Sequence, residues 1–340
     1  MDDSAFSRRI ITKILESIPD VSVIETATDG QDALKKTVKL RPDLITLDLE
    51  MPLMDGFSFL RWLTANLPTP VIVVSAQEAD ENVFRAMDQG AIDFVVKPTR
   101  HASIELEDIR NDLIEKVLTI PLLAMQKIKR RVENESQEFR RKFDSILPAR
   151  QPLLLGIASS TGGPPAIQTI LKGLPPKFPV PILIAQHMPA GFTALFAERL
   201  NKYTELKVQE AHDGQPFLQN NVYIAPGGNH LSVEKTGAKI VARIVERSAD
   251  SRYSPSANIL FGKIADVAEE RSIGAVLTGM GDDGKLGLIK IKEKGGLGLA
   301  ESEQTAIIFG MPQEAIQAGA VDYVLPIHEF AAALASLCRA

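Results

Sequence analysis

Three short polar clusters in the second half of the chain carry the residue types of nucleophilic acyl transfer: Ser160 in SSTGGPP, His187 in IAQHMP and Asp283 in TGMGDDG. Each ends an apolar, β-rich run, at 152–159, 180–187 and 273–278. Strands of that kind form parallel sheets, and open α/β sheets bind ligands at the carboxyl ends of their strands. A hydroxyl, an imidazole and a carboxylate gathered there supply a nucleophile, a general base and a group that orients the base. Gly162-Gly163 permit a sharp strand-to-helix turn, and Pro164 suits a first helical turn. The amides of such a helix start can stabilise an oxyanion. Taken singly, each cluster has an ordinary structural explanation as an N-cap, a satisfied histidine or a Gly-Asp turn. The functional reading rests on their shared edge. The chain order Ser, His, Asp and the lack of GxSxG around Ser160 exclude the usual α/β-hydrolase arrangement, and the absence of GxGxxG speaks against a dinucleotide site.

A second constellation occupies the first hundred residues. Asp48 follows the run DLITL, Ser75 closes PVIVVS, Lys97 follows IDFVV, and Asp2-Asp3 open the chain. Carboxylates from separate strand ends can hold a hard cation such as Mg²⁺ and leave one of their number as nucleophile. Lysine and serine can then contact phosphoryl oxygens.

The elements that must position these groups follow from periodicity. Strands are expected at 21–25, 43–47, 70–75 and 92–96, alternating with helices at 5–17, 30–40, 57–66 and 79–89. Residues 101–150 mix both charges densely and read as a helical linker whose Lys/Arg cluster is a solvated face. From Gln151 a second α/β domain adds strands at 152–159, 180–187 and 273–278, smaller β segments between 206 and 245, and helices at 164–173, 191–203, 255–270, 283–294 and 326–338. The division is therefore 1–100, 101–150 and 151–340.

The 340 residues suit about two domains. Net charge −5 offers no cationic field for nucleic acid, no apolar run reaches the ~20 residues of a membrane span, and the start MDDSAFSRR is unlike a secretory signal. A cytoplasmic location is expected. The single Cys338 excludes an intrachain disulfide and any multi-cysteine metal site.

Over residues 1–100 the segments DDS (2–4), LDLEMPLMDG (47–56), VVSA (73–76) and GAIDFVVKP (90–98) resemble the receiver domain of two-component response regulators. The resemblance implies a flavodoxin-like fold with Asp48 as phospho-acceptor, and Asp2 and Asp3 supporting Mg²⁺ together with Asp48. It further implies Ser75 as switch hydroxyl, Phe94 at the aromatic switch position, Lys97 as phosphoryl partner and a cis Lys97-Pro98 bond. Receivers place an apolar strand before the acidic pair, and none precedes Asp2 here. Either the start lies upstream, or stability and phosphorylation are impaired, since that strand belongs in the sheet interior.

Over residues 151–338, ASSTGGPPAI (158–167), AQHMPAGFTALFAERLN (185–201), YIAPGGNH (223–230), LTGMGDDG (277–284) and FGMPQEA (309–315) resemble the catalytic domain of chemotaxis-type protein-glutamate methylesterases. That likeness implies a doubly wound, mostly parallel α/β fold with Ser160 as nucleophile, His187 as base, Asp283 as orienting carboxylate, and backbone amides near Thr161 and Met280 as oxyanion donors. Asp282 receives no role. The implied reaction is hydrolysis of glutamate γ-methyl esters on chemoreceptors, with glutamine deamidation as a second activity and no cofactor for the ester step. The implied phosphodonor is a histidine kinase. The unphosphorylated receiver is expected to cover the catalytic edge. The rival reading is a phosphorylation-controlled binding module without turnover, and a DNA-binding output lacks a basic recognition surface.

Overall fold

The computed structural model describes residues 1–75, 80–97, 103–118, 150–248 and 251–339. The chain divides into two compact units, Met1–Ala124 and Met125–Ala340.

The first unit contains α1 (Ala5–Leu15), α2 (Gly30–Leu40), β1 (Ile45–Asp48), α3 (Gly56–Asn66), β2 (Val71–Ser75), α4 (Asp80–Asp88), β3 (Asp93–Val96) and α5 (Ser103–Leu118). The three strands pair in parallel in the order β1-β2-β3. Helix starts are set by side chains that accept orphan amides: Ser4 from Ser7, Asp29 from Gln31 and Asp32, and Asp55 from Ser58.

The strand expected at 21–25 does not form, and residues 21–27 carry no regular structure. A parallel strand needs a ladder along its neighbour. Beside this segment Asp2 N–H donates to Ala27 O at 3.1 Å, while on the other flank Asp48 N–H donates to Met1 O at 2.9 Å and the Met1 ammonium to Thr46 O at 2.7 Å. Ile24 is 55% exposed.

Helix α5 lies inside the stretch that composition assigns to the linker. Its Leu113 and Val117, one turn apart, enter the apolar cluster of Ile11, Ile14, Ile72 and Val95. Lys116 anchors it further, bonding Phe94 O and pairing with Asp93 at 3.3 Å. The remaining linker residues 119–149, Pro98 with its expected cis bond, and His101 lie outside the described residues.

The second unit runs β4 (Leu154–Ser159), α6 (Gly163–Gly173), β5 (Ile182–Gln186), α7 (Phe192–Leu200), β6 (Lys207–Glu210), β7 (Asn221–Ile224), β8 (Asn229–Thr236), β9 (Lys239–Glu246), α8 (Ala257–Ala268), β10 (Ser272–Val276), α9 (Lys285–Glu293), β11 (Leu297–Glu301), α10 (Gly310–Gln317), β12 (Tyr323–Leu325) and α11 (Phe330–Leu337). Seven strands pair in parallel in the order β12-β11-β10-β4-β5-β7-β6, while β8 and β9 form a separate antiparallel ribbon. The winding reverses at β4, which makes the sheet doubly wound and places a ligand crevice at the carboxyl ends of β10, β4 and β5. Apolar patterning alone does not single out β11, α10 or β12.

Three glycines share one rung across the centre of this sheet: Gly156 pairs with Gly274, and Gly274 with Gly298. A Cβ on Gly156 would lie 2.7 Å from Phe261 of α8, and one on Gly274 would lie 2.5 Å from Leu288 of α9. Bare backbone along this rung lets both helices pack closely on the sheet. Among the described residues no helix is long and apolar enough to cross a membrane.

Candidate active site

Ser160 and His187 leave the two central strands side by side. Ser159 stands opposite Gln186 in the β4-β5 ladder, and His187 N–H donates to Ser159 O at 3.0 Å. On the other flank Val276 pairs with Ala158, and Ser160 N–H donates to Thr278 O at 3.0 Å. Paired strands run about 4.8 Å apart, so the three polar clusters meet within side-chain reach. The glutamine at the end of β5 ties the strand ends together. Ser159 Oγ donates to Gln186 Oε1 at 2.7 Å, and Gln186 Nε2 donates to the carbonyls of Ser160 and His187, each at 3.0 Å.

Asp283 is fully buried and accepts His187 Nε2 at 2.9 Å. Apart from the adjoining Gly284 amide, its other partners come from the start of α8. Oδ2 accepts Ala257 N–H at 2.7 Å, and Oδ1 accepts Asn258 N–H at 2.9 Å and the Ser256 hydroxyl at 3.0 Å. Burial acts to raise this carboxyl, but His187 and the α8 amides outweigh it, and the group sits below the ordinary carboxylate range. An ionised carboxylate only accepts, so Nε2 of His187 is the donor in this bond, and in the neutral ring the lone pair then lies on Nδ1.

The Ser160 hydroxyl makes no hydrogen bond to His187 among the described residues. Contacts of this kind often tighten only when substrate is bound. The Met280 N–H donates to no acceptor among the described residues, whereas Thr161 is 4% exposed and its carbonyl accepts Thr278 Oγ1 at 2.8 Å.

Several neighbours were beyond sequence reasoning. Tyr253 stacks on the imidazole of His187, and Ser256 to Asn258 supply the donors to Asp283. Glu301 is buried, accepting Thr278 N–H at 2.8 Å and the Thr305 hydroxyl at 2.9 Å, and burial pushes its carboxyl up to about 7. Only the Ser256 N-cap left a readable trace, a serine just before an apolar helical run.

The first unit brings its own polar groups together at the carboxyl edge of β1-β2-β3. The carboxylate oxygens of Asp2, Asp3 and Asp48 lie within 4.8 Å of one another. Lys97 Nζ bonds Asp48 and stands 3.4 Å from Asp2 Oδ2, which is buried and accepts no hydrogen bond. Burial raises the Asp48 carboxyl, Asp2 adds to that, and Lys97 offsets only part of it. Ser75 ends β2 and is buried, with its carbonyl accepting Lys97 N–H at 2.6 Å. Phe94 is buried in β3, edge-on to Phe84 with ring centres 6.4 Å apart.

Comparison with known proteins places both units. Residues 155–334 match the family model described as CheB methylesterase, and residues 1–107 match the response regulator receiver domain. A protein-glutamate methylesterase/protein-glutamine glutaminase of Geobacter sulfurreducens is 44% identical, with 99% of this chain and 96% of that protein covered. One of the same name from Myxococcus xanthus is 41% identical over all of this chain and 96% of its own length. The crystal structure of the Thermotoga maritima CheB methylesterase catalytic domain is similar with a TM-score of 0.54 and 38% identity, covering 55% of this chain and 100% of that one.

Proposed function

The chain belongs to the CheB methylesterase family, and on that footing we propose that Ser160, His187 and Asp283 hydrolyse glutamate γ-methyl esters on chemoreceptors, under control of phosphorylation at Asp48. The observation that carries this reading is the His187 imidazole, bonded through Nε2 to a fully buried carboxylate and standing on the rung beside Ser160.

Nδ1 of His187 takes the Ser160 proton as Oγ attacks the ester carbonyl. The resulting oxyanion faces the Met280 and Thr161 amides. Collapse expels methanol, which leaves with the proton held by His187, and an acyl-enzyme remains. Water, deprotonated by the same nitrogen, then releases glutamate and restores the serine. Asp283 holds the tautomer and stabilises the transient imidazolium. A glutamine side chain enters the same cycle with ammonia in the place of methanol, which fits the glutaminase half of the relatives' names.

Asp48 accepts the phosphoryl group from a histidine kinase. The all-oxygen donor set of Asp2, Asp3 and Asp48, with the buried Asp2 oxygen unbonded, suits Mg²⁺, which would neutralise phosphoryl charge there. Lys97 and Ser75 contact the transferred group, and Phe94 follows the change in Ser75. A tenfold change in turnover needs a shift of only about 1.4 kcal/mol between two states.

The test is methanol release from methylated receptor by Ser160→Ala. Loss of at least about 10⁴-fold in rate is expected. Substantial retained turnover refutes the nucleophile, and receptor binding without any turnover by the unaltered chain would favour the binding-module reading.

A further inference from the structure

The imidazole of His187 is held at one atom by Asp283 and across one face by Tyr253. The two rings lie 4.9 Å apart between centres with an interplanar angle of 11°. The bond to Nε2 restrains rotation about the Cβ–Cγ axis through one off-axis atom only, and that torsion has broad minima. A parallel ring on its face narrows the remaining swing.

Tyr253 is itself seated by several contacts, although it belongs to no helix or strand. Its hydroxyl donates to Asp282 Oδ1 at 3.2 Å. The Arg252 guanidinium lies 5.0 Å from the Tyr253 ring centre and 3.6 Å from the same Asp282 oxygen. The turn TGMGDDG is shaped around the tyrosine as well. A Cβ on Gly281 would come 2.2 Å from Tyr253 Oη, and the backbone there has φ +84°. Glycine at 281 is therefore required twice, by conformation and by the space the phenol occupies.

We propose that Tyr253 is a positioning residue for the ester hydrolysis. Its ring clamps the His187 imidazole so that Nδ1 stays aimed at Ser160 Oγ, and its π-face accommodates the cation that forms when the proton moves. Asp282, without a role of its own in the chemistry, anchors the clamp. The inference rests on the roles given above to Ser160 and His187.

The experiment uses the full chain, methylated receptor as substrate, and proton NMR of the His187 ring. Tyr253→Leu is expected to lower kcat by about 10- to 100-fold with KM within about twofold, the cost of a small misplacement of a reacting group. The His187 ring protons should move downfield as the ring current of Tyr253 is lost. Tyr253→Phe loses the bond to Asp282 but keeps the ring under Arg252, and should retain most of kcat with the His187 resonances near their wild-type positions. Should Tyr253→Leu fail to fold, Gly281→Ala, which drives the phenol off its seat, should show the loss of kcat together with the same downfield move of the His187 ring protons; a loss of kcat with those resonances unmoved overturns the clamp. Wild-type kcat in Tyr253→Leu, or a loss in Tyr253→Phe as deep as in Tyr253→Leu, overturns the clamp. An inactive Ser160→Ala beside an undiminished Tyr253→Leu refutes the clamp alone. An active Ser160→Ala refutes the nucleophile instead, while the NMR shift still reports whether the rings stack.

Discussion

Asp48 and Asp283 are both buried carboxylates at the carboxyl edge of a parallel sheet, yet they are served in opposite ways. Asp283 is surrounded by donors, comprising the Ala257, Asn258 and Gly284 amides, the Ser256 hydroxyl and the His187 imidazole. Asp48 has one amide, from Glu50 at 3.2 Å, and one ammonium, from Lys97, with a second carboxylate close by. The first carboxyl is accordingly held below its ordinary range and the second is pushed above it. The difference matches the roles proposed for them. A group that orients an imidazole must stay ionised and still throughout the cycle, so its valences are filled by the fold. A group that takes up a phosphoryl needs partners that can be exchanged, and Asp48 has only one bond at each oxygen, beside a buried Asp2 oxygen that accepts none.

The sharpest way to break this comparison is the same substitution at both sites. Asp283→Asn should cost about 10⁴-fold in methanol release, because the amide favours the wrong tautomer of His187. It should also lower the unfolding midpoint of the second unit at pH 7, since an NH₂ group replaces one acceptor among buried donors, at about 1–3 kcal/mol for each donor left unpaired. An Asp283→Asn protein with ordinary turnover ends the contrast. For the wild-type group, a lowered folded pKa means its contribution to stability is present above the unfolded value of 3.8 and disappears as pH falls through the folded one.

Next in size is the response to Mg²⁺. At a hundred times its dissociation constant the cation should add about 2.7 kcal/mol to the stability of the receiver unit, read by calorimetry of the full chain. Asp2→Ala should abolish that gain, and the second unit should not respond. A gain that survives Asp2→Ala removes the acidic cluster from metal binding.

Asp48→Asn tests the sign. A raised folded pKa means that ionisation above 3.8 costs the folded state. The receiver midpoint measured without Mg²⁺ should therefore rise at pH 7, while stimulation of methanol release by acetyl phosphate vanishes. A fall in the midpoint would show that Lys97 serves Asp48 as fully as the α8 amides serve Asp283.

The smallest effect is a slope. The Glu301 carboxyl, raised from 4.5 to about 7, keeps a proton in the folded chain that the unfolded chain releases, so stability should decline between those two pH values. Glu301→Gln retains an acceptor for the Thr278 amide and should flatten that decline in denaturant midpoints. An unaltered slope would mean that Glu301 does not titrate there.

Much of this was legible because parallel strands announce themselves as apolar runs and deliver whatever follows them to one edge. Ser160, His187 and Asp283 were placed in that way, as were Asp48, Ser75 and Lys97. The segment 21–25 has strand composition and no strand, because pairing depends on a neighbour and not on its own residues. Strand β11 was hidden by Gly296 and Gly298, the latter demanded by Ala320 O, which would stand 2.1 Å from a Cβ. Tyr253 and the α8 donors to Asp283 come from irregular chain or from backbone amides, whose partners are chosen by tertiary contact alone. Of the glycines in TGMGDDG, Gly281 is the one set against the tyrosine.

The row Gly156-Gly274-Gly298 has a bearing on chemistry that its position at mid-sheet conceals. Its member Gly156 lets Phe261 of α8 lie against the sheet, and α8 presents its first amides to Asp283. A methyl on that glycine would meet the Phe261 ring, so the seating of the buried carboxylate depends in part on an atom that is missing from mid-sheet.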